Sequence, residues 1–131
     1  MNTIGITSVG QIAINSRDLE RSTRFYRDTL GLPLLFSLPA AAFFQCGSVR
    51  LMIAVAEQPE FDHPTSIIYY KVDDIDAAST ALASNGVVLE TKPHLIARMP
   101  DHDLWMAFLQ DPDQNPICLM SEVRPPREGS R

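Results

Sequence analysis

The chain has 131 residues and a mass of 14.6 kDa, enough for one ordinary domain or two small intimate modules. Apolar residues make up 45% and charged residues 21%, a globular balance and not a disordered one. A net charge of -5 with only 11 Lys plus Arg excludes nucleic acid as a general partner, because phosphate binding needs a basic face. No apolar run approaches the roughly 20 residues of a membrane helix. Met1 to Val9 lacks a basic segment followed by an apolar run, so no signal peptide is expected there. Cys46 and Cys118 lie in separate apolar segments, which predicts two reduced thiols in a cytoplasmic protein.

In chain order, Gln11 to Asn15 alternates polar and apolar residues, the pattern of a half-buried strand. Asp18 is a candidate N-cap for a helix whose apolar stripe is Leu19, Ser22, Phe25, Tyr26 and Leu30. Gly31 ends that helix and Pro33 blocks its continuation. Strand-like runs follow at 34–38, 41–46 and 49–55, broken by Pro39 and by Cys46-Gly47-Ser48. Residues 57–65 (EQPEFDHPT) are polar and carry two prolines, a linker in which His63 reads as a solvated loop residue.

The pattern then repeats. IIYYKVDDIDAASTALASNG at 67–86 parallels QIAINSRDLERSTRFYRDTLG at 11–31, with Asp18 on Asp74, Leu19 on Ile75 and Glu20 on Asp76. The second helix, about 74–85, has Ile75, Ala78, Ala81 and Leu82 on its apolar stripe and Gly86 at its end. Asp73, Asp74 and Asp76 sit at a helix start, where capping and the helix dipole account for them. Strand-like runs follow at 87–99, 103–110 and 116–122, separated by Pro100-Asp101-His102 and Asp111-Pro112-Asp113-Gln114-Asn115. The tail beyond is expected to fray. Both halves read β-α-β-β-β, a duplicated unit in an α+β fold of mixed sheets. One helix cannot cover both faces of four strands, so two such modules, 8–56 and 66–122, are expected to curl their open faces into a shared cup within a single domain.

With this much in view, the chain resembles the vicinal oxygen chelate superfamily of glyoxalase, bleomycin-resistance and extradiol dioxygenase relatives. The resemblance is carried by Gln11–Leu32, by GSVRLMI at Gly47–Ile53, by VDDIDAASTALASNG at Val72–Gly86 and by AFLQDPDQNPICLM at Ala107–Met120. It implies paired βαβββ modules and, in the enzymes of the family, a divalent metal held by His or Glu from the first and last strands of each module. Carried across, those positions are Gln11, Met52, Ile67 and Cys118. Gln stands at the first place in some glyoxalases, but Ile67 has no lone pair and Met52 is no hard donor. A one-residue slip at 52, 67 or 118 brings in no His or carboxylate. No metal and no cofactor is therefore expected. Gln114 also departs from the Asp-Pro-Asp-Gly of relatives, and implies either a right-handed residue or strain at positive φ.

The densest polar group is Glu90, Lys92, His94, Arg98, Asp101, His102, Asp103 and Trp105. A hairpin centred on Pro100-Asp101 sets Arg98 opposite Asp103 and His94 near Ala107. The plain reading is an exposed tip with a surface ion pair. A sharper one makes His94 or His102 the acid–base group over a ligand, with Glu90 or Asp101 beside it. A third is a relocated metal site built from the same residues. Strand parity, with Phe108 taken to pack under the second helix, assigns Trp105 to the cup beside Gln11, Met52, Ile67, Tyr69 and Cys118, with Arg50 as a charged member. Three functions follow. The first is a metal-free small-molecule-binding protein for an apolar or aromatic ligand, like the drug-binding members of the resembled family. The second is a lyase, isomerase or dioxygenase-type enzyme using His94 and His102. The third is an interaction module. A homodimer is expected for each.

Overall fold

The computed structural model describes residues 4–124, which divide at Thr65/Ser66 into two compact units. Residues 1–3 and 125–131, including most of the expected frayed tail, lie outside the described residues.

In the first unit β1 (Gln11–Ser16) leads into α1 (Leu19–Arg24), followed by β2 (Leu34–Leu38), β3 (Ala41–Cys46) and β4 (Val49–Val55). The sheet order is β1-β4-β3-β2. β1 runs parallel to β4 and the other neighbours are antiparallel, because the short turns after β2 and β3 reverse the chain whereas α1 carries it across. Asp18 caps α1 as expected, its carboxylate accepting from the Arg21 N–H at 3.1 Å. The expected regular helix gives way after Arg24 to a π-helical turn, Phe25–Thr29, closed by Leu30 N–H to the Phe25 carbonyl at 2.9 Å. Tyr26, on this turn, is buried against Phe25 and Phe44.

The second unit repeats the plan with β5 (Ile68–Lys71), α2 (Ile75–Ser84), β6 (Thr91–Arg98), β7 (Asp103–Gln110) and β8 (Pro116–Val123), in sheet order β5-β8-β7-β6. Again the first strand is parallel to the last. Asp74 caps α2 through the Ala77 N–H at 3.0 Å. Gly31 and Gly86 both follow their helices at positive φ, 76° and 82°. The buried face of α2 is Ile75, Ser79 and Leu82, whereas Ala81 is exposed. The stripe thus runs through a serine that composition alone assigns to solvent.

Each helix covers one face of its sheet. In the first unit the covered face is Ile14, Ser16, Phe44, Leu51 and Ile53, all buried, and Ser16 Oγ meets Ser22 Oγ of α1 at 2.7 Å. In the second it is Ala107, Leu109, Ile117, Leu119 and Ser121, with Ser121 Oγ donating to the Asp73 carbonyl beside the α2 cap.

The turn from β7 to β8 is organised by Asp111. Its buried carboxylate accepts from the N–H groups of Asp113 and Asn115 and from the Asn115 side-chain amide, at 2.8–2.9 Å. The Asp111 N–H donating to the Asn115 carbonyl and the Gln114 N–H donating to the Asp111 carbonyl then close the loop, and Gln114 takes φ 66°. Of the two conformations open to Gln114, the chain adopts the strained one. Gln114→Gly is expected to stabilise the fold by about 0.5–1 kcal/mol, because a side chain disfavours this conformation by slightly more than glycine costs in chain entropy. Asp111→Ala is expected to cost about 3 kcal/mol, since it leaves buried donors unpaired. Chemical denaturation of both variants measures the two effects with opposite sign.

Candidate functional site

The uncovered face of the first sheet follows from its register. Gln11 stands opposite Arg50, Ala13 opposite Met52, and Met52 opposite Phe43, which pairs in turn with Phe36. These directly opposed residues share one side of the sheet, away from α1. Arg50 Nε donates to Gln11 Oε1 at 2.7 Å, and its guanidinium lies 5.7 Å from the centre of the Phe43 ring. Gln11 Nε2 in turn approaches the Met52 sulfur at 3.7 Å. Phe36 and Phe43 stack at 4.4 Å with planes 19° apart. Phe43 is thereby buried, while Phe36 is half exposed.

On the second sheet Tyr69 pairs with Cys118, and Cys118 with Phe108, so these three share the uncovered face, joined by Met106 and Met120. Trp105 does not. It stands opposite Ser121, on the α2 side with Ala107 and Leu109. The assignment of Trp105 to the open face is therefore corrected, and so is that of Phe108 to the helix side; an inward–outward choice made once for a strand flips every residue on it. Ile67 precedes β5 and is largely exposed.

Arg98 faces Asp103 as expected, with Nη1 3.4 Å from Oδ2. His94 pairs with Met106 and not Ala107, because the register shift at Leu95/Ala97 displaces β6 by one residue. That places His94 on the uncovered face, its Nδ1–H donating to the Lys92 carbonyl at 2.9 Å. Glu90 lies before β6, exposed, with its N–H on the Phe108 carbonyl. His102 is elsewhere, in the β6–β7 turn. Its ring is nearly enclosed, with side-chain exposure of 14%, and Nδ1–H donates to Asp101 Oδ1 at 2.7 Å. Arg124 reaches both Asp101 and Glu122, and Lys71 bonds Glu122 at 3.2 Å. The two imidazoles thus belong to different surroundings, and among the described residues no three His, Cys, Asp or Glu side chains gather to hold a metal ion.

Outside the uncovered faces, an open groove of about 520 Å³ runs along Leu19, Glu20, Thr23, Arg24, Arg27 and Pro39. Its arginines are engaged by Glu20 and Asp28.

This arrangement can be set against known proteins. The family model of the Glyoxalase/Bleomycin resistance protein/Dioxygenase superfamily matches residues 8–119. The chain belongs to this superfamily. A curated relative, the uncharacterized protein YraH of Bacillus subtilis strain 168, is 29% identical over 129 residues, covering 82% of this chain and 92% of YraH. Among solved structures, the antibiotic-binding protein TnmS3 of Streptomyces sp. CB03234 superposes with a TM-score of 0.76 at 23% identity, over 92% of this chain and all of that one. Lactoylglutathione lyase of Agrobacterium tumefaciens gives 0.70 at 23% identity, over 89% of this chain and 95% of the lyase. At these identities the two structures establish the fold.

The metal positions implied by superfamily membership do not suit a divalent ion. The Gln11 amide oxygen already accepts from a guanidinium, which also sets a positive charge where a second would be repelled. Met52 is a soft thioether, and Ile67 has no donor atom. Burial pushes the Cys118 thiol up from its ordinary value, so it stays protonated and donates to the Leu119 carbonyl at 3.3 Å.

The charged cluster at the end of the second sheet makes stability acid-sensitive. A hydrogen bond from His102 holds Asp101 below the usual carboxylate range, and one from Lys71 does the same for Glu122. A lowered folded-state pKa stabilises fully above the unfolded value near pH 4, and that contribution disappears as pH falls through the folded one. Combining Asp101→Asn with Glu122→Gln is expected to flatten the decline of Tm between about pH 5 and 2. Thermal melts at half-unit pH steps show the flattening or its absence.

Proposed function

We propose that the chain is a small-molecule-binding member of the superfamily, taking an aromatic or apolar ligand without a metal. One observation carries the reading. The positions that would ligate a metal are Gln11, Met52, Ile67 and Cys118, and the first is already committed to Arg50. The uncovered faces on which these positions lie carry aromatic and thioether side chains: Phe36, Phe43 and Met52 on one, Tyr69, Met106 and Phe108 on the other. Such surfaces with few polar groups suit aromatic ligands. TnmS3, similar in fold, is described as an antibiotic-binding protein, which favours the same direction. The ligand-binding set is then Gln11, Arg50, Met52, Ile67, Tyr69 and Cys118, without Trp105. Modules 8–56 and 66–122, with 57–65 between them, act as one domain. A second copy pairs with the chain, which the exposed Leu35, Phe36 and Leu38 of edge strand β2 support.

A second reading, a lyase, isomerase or dioxygenase-type enzyme, draws on His94. With Nδ1–H on the Lys92 carbonyl, Nε2 is left as the acceptor on the uncovered face. The enclosed His102, bonded to Asp101, suits a structural part better than proton transfer, and Glu90 has no imidazole partner.

The binding reading is tested with 2-naphthamide as a neutral aromatic probe. Protein stripped with EDTA is expected to bind it in calorimetry with the same Kd as protein supplied with zinc, nickel or manganese. Phe36→Ala is expected to weaken it about five- to tenfold through the lost ring stack. Binding that appears only when metal is added would reject the reading.

A further inference from the structure

Arg17, Arg24, Arg27, Arg98 and Arg124 each meet a carboxylate. Among the described residues Arg50 meets no carboxylate: its side chain is held by the Gln11 amide oxygen, which takes Nε, and by the face of Phe43. The chain carries 16 acidic residues against 11 basic ones, so a guanidinium left without an acid runs against the composition. Its position is also built. Gln11 holds Nε at 2.7 Å, the guanidinium carbon lies over the Phe43 ring, and Phe36 stacks on Phe43. The side chain that normally loses the most rotamer freedom on binding is therefore already ordered, and Nη1 and Nη2 remain to donate as a fork. A planar fork beside stacked rings matches a planar anion attached to an aromatic ring.

We propose that Arg50 recognises the carboxylate of an aromatic acid, whose ring lies against Phe36 and Met52. This deepens the proposed function and rests on its aromatic ligand. The carboxylate accepts from Nη1 and Nη2, while Gln11 keeps Nε and so fixes the plane in which the acid group lies. An amide in place of the carboxylate loses the charge and one acceptor, so the site separates an acid from its neutral analogue.

Calorimetry with 2-naphthoate and 2-naphthamide on the intact chain tests the assignment. Wild-type protein is expected to bind the naphthoate at least tenfold more tightly, with the margin shrinking as salt rises. Arg50→Gln is expected to abolish the margin, with naphthoate losing about tenfold more affinity than naphthamide. Arg50→Lys, which keeps the charge but not the fork, is expected to retain part of it. Equal binding of the two probes by wild type, or equal weakening of both by Arg50→Gln, overturns the role of Arg50 and leaves the binding function standing. Failure of both probes to bind overturns both. A change of oligomeric state in Arg50→Gln, read by light scattering, means that the guanidinium meets a carboxylate of a second copy, and also overturns the proposal.

Discussion

A four-stranded sheet has two faces, and each half of this chain supplies a single helix. Everything distinctive about the surface descends from how firmly that helix is committed to one side. Asp18 and Asp74 fix where the helices start, and buried hydroxyls tie each helix region to its sheet: Ser16 to Ser22 in the first unit, Ser121 to the Asp73 carbonyl in the second. A slipped helix would forfeit these bonds and expose Ile14, Ile53, Leu109 or Leu119. The opposite faces are then left with the residues of the other parity, where rings and thioethers stand among a few polar groups.

Parity also marks how far the residues alone could be read. The strands at 34–38, 41–46, 49–55 and 103–110 have the bounds expected of them, because alternation and the Gly and Pro breaks act locally. Both helix caps were legible for the same reason. The face of β7 was not, because its apolar residues occur on both parities: Leu104, Met106 and Phe108 on one, Trp105, Ala107 and Leu109 on the other. Choosing between them needs the partner strand, and the pairing of Phe108 with Cys118 decides it. Taking Phe108 to pack under the second helix was the misleading step: the small Ala107 is fully buried on the helix side while Phe108, on the other face, is only partly covered. His94 escaped by one residue for a different reason. The register shift at Leu95/Ala97 has no side-chain signature, unlike the one at Thr91/His94, which spans Pro93. The π-helical turn at Phe25–Thr29 is equally silent, whereas Gln114 announced its strain through the glycine it replaces.

The candidate site divides along the same line. Absence of donors was readable from Met52 and Ile67 as residue types. What occupies Gln11 was not, because Arg50 is far from it in the chain and meets it only through the parallel pairing of β1 with β4. That pairing changes what Gln11 is. A free glutamine offers either end of its amide. Here the oxygen is turned to Arg50 and the nitrogen to the Met52 sulfur, so the side chain works as a support for a cation. Arg50 thus sets a positive charge beside Gln11. It differs from a metal ion in one consequential way. A guanidinium donates hydrogen bonds in a plane and accepts no ligand electron pair into a coordination shell, so it can orient an anion but cannot activate water or polarise a carbonyl as a Lewis acid. On the uncovered face of the first sheet that charge acts as a donor of hydrogen bonds, while on the second His94 turns Nδ1–H to the Lys92 carbonyl.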